Sequence, residues 1–271
     1  MREPAPVASL AETVRPTNLN QQLVWDQFKD ELALPRREFR YAWSDAKGQY
    51  VGLPYHNFDH AKEVMWDSLA LGRLCIQNGI AVNTRVLAMA SLYHDAGFHI
   101  DISDTEFESK EHYAAAIYQH SAPSFGFDEA EVELGSKLII ATKLGTKRES
   151  VEERIIVRAD IDNVGGNYDI SFRAKSGLLI EEERLLAQQH GKKFNRLQFE
   201  ANSIKALAVY MSSDLKLGDF DNGQWSSHAA INLQRLAIEL ARQQNKTLTG
   251  FVQGLGSTAV SKLFESLPKR D

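Results

Sequence analysis

The stretch Arg85-Val-Leu-Ala-Met-Ala-Ser-Leu-Tyr-His-Asp-Ala-Gly97 decides how this chain is read. It is an apolar, helix-like run, and Gly97 is a suitable helix stop. At its end stand His94 and Asp95, two strong metal-ligand side chains. Such groups are unfavourable to bury in a hydrophobic setting unless they bind something. A hydrogen-bonded core histidine and a helix-terminal aspartate are the plain alternative. Aspartate, however, opposes the helix dipole at a C-terminal end, and that local misfit argues for a cation nearby. His60 lies 34 positions before His94, and Asp160 lies 65 positions after Asp95. The two can complete a metal site and with it a metal-dependent hydrolase.

Outward from this run the pattern is helix after helix. Leu23, Trp25, Phe28 and Leu32 predict a first amphipathic helix ended near Pro35. Residues 41–54, with their glycines and Pro54, read as a loop. Helices are predicted over about 56–78, 82–96, 105–120, 128–143, 150–164, 168–189, 199–212 and 226–244, with 213–225 as a glycine- and aspartate-rich loop. Strand signals are scarce, and no solenoid repeat is present. The expected architecture is a single-domain, all-α helical bundle over residues 19–245. A flexible N-terminal tail (1–18) and a C-terminal extension (246–271) with a short helix flank it.

Composition agrees with a globular chain: 271 residues, 43% hydrophobic and 25% charged. The net charge of −5 gives no sign of a general nucleic-acid surface. No apolar run reaches the roughly 18 residues that span a bilayer, and the N-terminus lacks the apolar core of a secretion signal. The one cysteine, Cys75, reads as a core thiol of a reducing compartment. A cytoplasmic protein with no membrane partner is expected, and it is open to forming a homo-oligomer.

The second dense segment is Tyr55-His56-Asn57-Phe58-Asp59-His60-Ala61. On a helix, His56 and His60 share one face a turn apart. That spacing surrounds one centre with two imidazoles, or puts one on a metal and one beside a substrate. Asp160 shares a helical face with Ile156, Ala159 and Asn163, while Asp162 is rotated about 200° from it. Arg158 is available as an ordinary ion-pair partner for Asp160.

In combination these residues resemble the HD superfamily of metal-dependent phosphohydrolases, whose order is His, His-Asp and a distant Asp, here His60, His94-Asp95 and Asp160. Tyr55-His56-Asn57 with His60-Ala61 is similar to the motif of the cyclic nucleotide phosphodiesterases, a branch of that superfamily. A closer resemblance, over roughly residues 20–243, is to small uncharacterised bacterial HD proteins. It is carried by Tyr55-His56-Asn57, Tyr93-His94-Asp95, Glu108-Ser109, Ile140 to Lys143, Ala159-Asp160-Ile161, Tyr168 to Arg173 and Ala230 to Leu233. The resemblance implies His60, His94, Asp95 and Asp160 as ligands of a divalent ion, with manganese, iron, zinc, magnesium, nickel and cobalt not distinguished. It implies His56 as the acid that protonates the leaving oxygen, and a catalytic part for Asp95, with either Asp95 or Asp160 orienting the attacking water.

The expected function is hydrolysis of a phosphomonoester or phosphodiester bond in a small, nucleotide-like substrate. One alternative is a non-catalytic regulatory module that binds metal or nucleotide. The other is a di-iron HD oxygenase, which needs a fuller histidine set than His99, His112 and His120 supply. Lys143, Tyr55 and Arg37 are candidate substrate contacts, the last as part of an Arg36, Arg37 and Arg40 anion pocket. Glu108 and His99 are candidate supports for a ligand histidine.

Overall fold

Helix α1 (Gln21–Leu32) begins where Asn20 caps it, the Asn20 side chain accepting from Leu23 N, and it buries Val24, Phe28 and Leu32. In this computed structural model the described residues are 15–103, 105–212 and 215–265. Among them the ordered elements are helical and no strand occurs. The expected tail falls outside the described residues as far as residue 14. Arg15 forms ion pairs with Glu63 and Asp67.

Helix α2 (Arg36–Gly48) occupies much of the stretch expected to be a loop. Phe39, Ala42, Trp43 and Ala46 are buried at the i, i+3, i+4, i+7 spacing of one helical face. The turn-forming residues that suggested a loop, Gly48, Gly52 and Pro54, sit at or beyond the end of that helix. Helix α3 (Phe58–Gln77) follows, then α4 (Thr84–Tyr93), α5 (Lys110–Ser121), α6 (Glu129–Ala141) and α7 (Val151–Asp160). α5 starts later than its apolar pattern suggested because Ser109 caps it, accepting from His112 N.

Chain contacts divide the molecule into two compact units. The first runs through α7 to Asp160 and takes back Leu215–Asn222. Within it α3 packs against both α4 and α7. The α3–α4 approach is close because small residues line it. Ser91 Oγ donates to Ser68 Oγ at 2.8 Å, and a Cβ on Gly72 would lie 2.9 Å from Thr84 Cγ2. Met65, Leu69, Leu87, Met89, Leu92 and Tyr93 are fully buried. The returning segment buries Leu215 and Leu217, and its Asp221 receives the Arg158 guanidinium at 2.5 Å.

The second unit comprises Ile161–Asp214 and the chain from Gly223 onward. It contains α8 (Asp162–Gly165), a π-helical turn (Tyr168–Arg173), α9 (Ala174–Gln189), α10 (Arg196–Ser212) and α11 (Gln224–Gln243). Two short helices, α12 (Leu248–Leu255) and α13 (Thr258–Glu265), stand where one was expected. Asn232 on α11 donates to Val164 O and Gly166 O, each at 2.8 Å, and so ties α11 to the end of α8. The sequence predicts one domain over residues 19–245; chain contacts separate two compact units, with the boundary at Ile161. The helix predicted over 150–164 is broken at that residue, between α7 and α8.

No helix of the described residues is long and apolar enough to cross a membrane. Cys75 is buried, and burial raises its thiol to about 11. Gly97 combines two local constraints: its φ is +71°, and a Cβ there would meet Tyr113 Cε1 at 2.5 Å. Gly97→Ala therefore combines backbone strain of about 1 kcal/mol with a steric clash. A loss of about 2 kcal/mol or more is expected, read as a lowered Tm by circular dichroism; an unchanged Tm would refute this account.

Candidate metal centre

The segment before α3 is organised by one side chain. Asn57 Oδ1 accepts from the backbone N–H groups of Asp59 and His60, while its Nδ2 donates to Leu53 O and Pro54 O. Asn57 is thus both the N-cap of α3 and the clamp of the loop that carries Tyr55 and His56. Helix geometry starts only at Phe58, so His56 is not one helical turn behind His60 as its spacing suggested. It lies in the loop, its ring stacked on Phe98 with centroids 3.7 Å apart and planes 13° from parallel. The His56 and His60 ring centroids are nevertheless only 6.2 Å apart. Tyr55 packs against both, at 4.9 Å from His56 and 4.7 Å from His60.

Three helices deliver the four expected ligands to one place. His60 is in the first turn of α3, His94 and Asp95 follow the last residue of α4, and Asp160 ends α7. His60 Nε2 lies 3.1 Å from Asp160 Oδ1 and 3.6 Å from Asp95 Oδ2. His94 Nε2 lies 2.9 Å from Asp95 Oδ2 and 3.4 Å from Asp160 Oδ1. One donor atom from each residue falls within 4.8 Å of all the others. A divalent ion held at about 2.1 Å by each ligand spaces neighbouring donors roughly 3.0–3.5 Å apart, so the set has the dimensions to hold one.

The hydrogen bonding points the same way. His94 Nδ1 is 2.8 Å from Ser91 O. A carbonyl only accepts, so Nδ1 carries the proton, and in the neutral ring the lone pair of Nε2 faces the carboxylates. His94 is 1% exposed. Its Nε2 and Asp95 Oδ2 are close but misaligned, and neither buried atom makes a well-formed hydrogen bond. Leaving a buried polar atom unpaired costs about 1–3 kcal/mol. The cluster of His60, His94, Asp95 and Asp160 could hold a metal ion, and such an ion would satisfy both atoms.

The charges are strongly linked. Burial pushes the His94 imidazolium down, yet Asp95 and Asp160 outweigh it and raise the group well above the ordinary histidine value. Burial would raise Asp95, but His94 and then His56 hold it below its usual range. Burial would likewise raise Asp160, and the bond with His60 together with the close charge of His94 holds it far below. Arg158, the alternative partner for Asp160, is engaged with Asp221. Asp162 opens α8, where its carbonyl accepts from Trp225 Nε1 at 3.2 Å.

The other candidates are placed differently. Lys143 pairs with the exposed Glu108 at 2.7 Å, and Glu108 reaches His112 Nε2 at 3.9 Å but neither ligand histidine. His99 is exposed just beyond Phe98. Arg37 lies on the outer face of α2 beside Tyr41, away from the cluster. Conversely, Phe98 and Tyr50 belong to the surroundings of the site and were not anticipated. Tyr50 Oη donates to Leu92 O at 3.0 Å, and burial, then the charge of Asp95, raises its phenol well above the usual value. Tyr93 is fixed from behind, its Oη donating to Asp45 Oδ2 at 2.6 Å. Nothing in the spacing of these aromatics separates them from ordinary core residues.

Compared with models of known protein families and with curated proteins, the chain matches none. The functional reading therefore rests on the residues themselves.

Asp95 and Asp160 raise the His94 imidazole above its ordinary value, so a divalent ion at Nε2 competes with a proton there. Affinity for Mn²⁺ is expected to rise with pH up to the raised value of His94 and then level. Calorimetry at pH 7 in two buffers of different ionisation enthalpy should register proton release. Identical heats in both buffers would show that His94 is already neutral.

Proposed function

We propose that the protein is a metal-dependent phosphohydrolase of the HD type, cleaving the ester bond of a small, nucleotide-like phosphoester. The observation that carries this reading is the convergence of two imidazoles and two carboxylates, with His94 Nε2 and Asp95 Oδ2 unsatisfied and facing each other. His60, His94, Asp95 and Asp160 would hold the ion. When bound, a divalent ion there would lower the pKa of a coordinated water and draw charge from the phosphoryl oxygens.

The remaining work belongs to the chain. The histidines against Asp95 and Asp160 hold both carboxyls below the usual range, so they are weak bases, suited to hold a cation and to orient an attacking water as hydrogen-bond acceptors. His56 is the proton donor for the departing oxygen. The stack on Phe98 fixes the plane of its ring, and a ring nitrogen delivers its proton within that plane. Tyr55, packed on both His56 and His60, keeps the acid at a constant distance from the ligand set.

A Mn²⁺-supplemented screen of phosphomonoesters, phosphodiesters and nucleotides tests this reading. Asp95→Ala is expected to abolish both metal binding and turnover; activity that survives the change would sink the assignment. His56→Gln should lower kcat by about 10²–10⁴ with an alkyl leaving group. The loss should be much smaller with p-nitrophenolate, which departs without protonation. An equal loss for both leaving groups would remove His56 from the role of acid.

A further inference from the structure

We propose that the outward face of α2 is a second ligand site, independent of the metal centre and of the phosphohydrolase reading. It takes the phosphate groups of a nucleotide through Arg36, Arg37 and Arg40 and seats the base on Tyr41. These residues, with Ser44, line a pocket of about 630 Å³. That volume lies within the roughly 300–1,000 Å³ of small-ligand sites. None of the metal-cluster residues lines it.

The charge arrangement is unusual for this chain. Acidic residues outnumber basic ones, 36 to 31, and Arg73, Arg85, Arg158 and Arg173 each meet a carboxylate. Arg36, Arg37 and Arg40 are exposed neighbours on one helix, and among the described residues none of them forms an ion pair. Three guanidinium groups on one exposed helix face make a positive patch that a polyanion can neutralise and grip bidentately. Two of them are already oriented. Arg36 donates to Gln22 Oε1; Arg37 Nε donates to Tyr41 Oη at 3.4 Å, with its guanidinium 5.4 Å from the ring centroid.

Tyr41 supplies the second half of the argument. It is 55% exposed on the face opposite the buried Phe39, Ala42, Trp43 and Ala46, so it contributes nothing to the core. A flat aromatic surface beside a phosphate-binding fork suits a nucleobase, which stacks on such rings irrespective of its identity.

The test uses the full-length protein in excess EDTA, which takes the metal centre out of play, with calorimetric titration of pyrophosphate, ADP and adenosine at low salt. Pyrophosphate and ADP are expected to bind, ADP at least threefold more tightly, and adenosine alone not measurably. Arg37→Ala with Arg40→Ala should weaken both anions at least tenfold. Tyr41→Ala should bring ADP to the level of pyrophosphate. If the double alanine variant fails to fold by circular dichroism, Arg37→Lys with Arg40→Lys keeps the charge, loses the fork, and should weaken ADP several-fold. The proposal is overturned if ADP does not bind, if its affinity ignores the arginine changes, or if Asp160→Asn alone removes it. Binding of a short oligonucleotide without ADP binding would also overturn it, since the face would then be a nucleic-acid surface.

Discussion

Two carboxylates and two imidazoles share a space less than 5 Å across at the ends of three helices. Everything around them follows from the need to keep that concentration of charge balanced. Each histidine faces both aspartates, so the cluster is held by four close contacts rather than by two isolated pairs. Burial works against the charged forms of His94, Asp95 and Asp160, and the opposite charges more than compensate. The balance is incomplete, because the best-buried pair, His94 and Asp95, is near but misaligned. An arrangement built only to satisfy itself would align these atoms; one built to receive a cation has reason not to.

The surrounding structure keeps the four residues from relaxing toward a self-satisfied arrangement. Ser91 O fixes the tautomer of His94 from below. The Asn57 side chain fixes the start of α3, and with it the height of His60, by four hydrogen bonds. Arg158, two residues from Asp160, is drawn to Asp221 on the returning Leu215–Asn222 segment, so that Asp160 is left to the histidines. Small residues between α3 and α4 let the two helices approach closely enough for their ends to share one centre. Each support lies outside the cluster, and each is a local physical device: a cap, an ion pair, a close packing.

Much of the site was legible in the sequence because its residue types break local rules. His94 and Asp95 are conspicuous in an apolar helix, and the order of His60, the His-Asp pair and Asp160 is specific in combination. The supporting residues obey local rules and so hide. Phe98, Tyr50 and Tyr93 look like any core aromatic until their partners across the fold are known. Glu108 and Lys143 show the converse: both offered themselves as helpers of the site, and the fold pairs them with each other at the surface. Arg37 likewise belongs to a different face.

The sequence by itself determined the helical character of the chain, most helix positions and the four residues of the cluster. These are consequences of periodicity and of side-chain chemistry, which act over a few residues. The tertiary structure decided what depends on distant partners. Helix α2 exists where turn residues crowded its end, because Phe39, Ala42, Trp43 and Ala46 found a core to enter. His56 left the helix it was assigned to because Asn57 captured the cap and Phe98 captured the ring. The division at Ile161 and the pairing of Arg158 with Asp221 likewise arise only when segments far apart in the chain meet. An ion pair or a packed face is a property of two segments, and one-dimensional spacing describes only one of them.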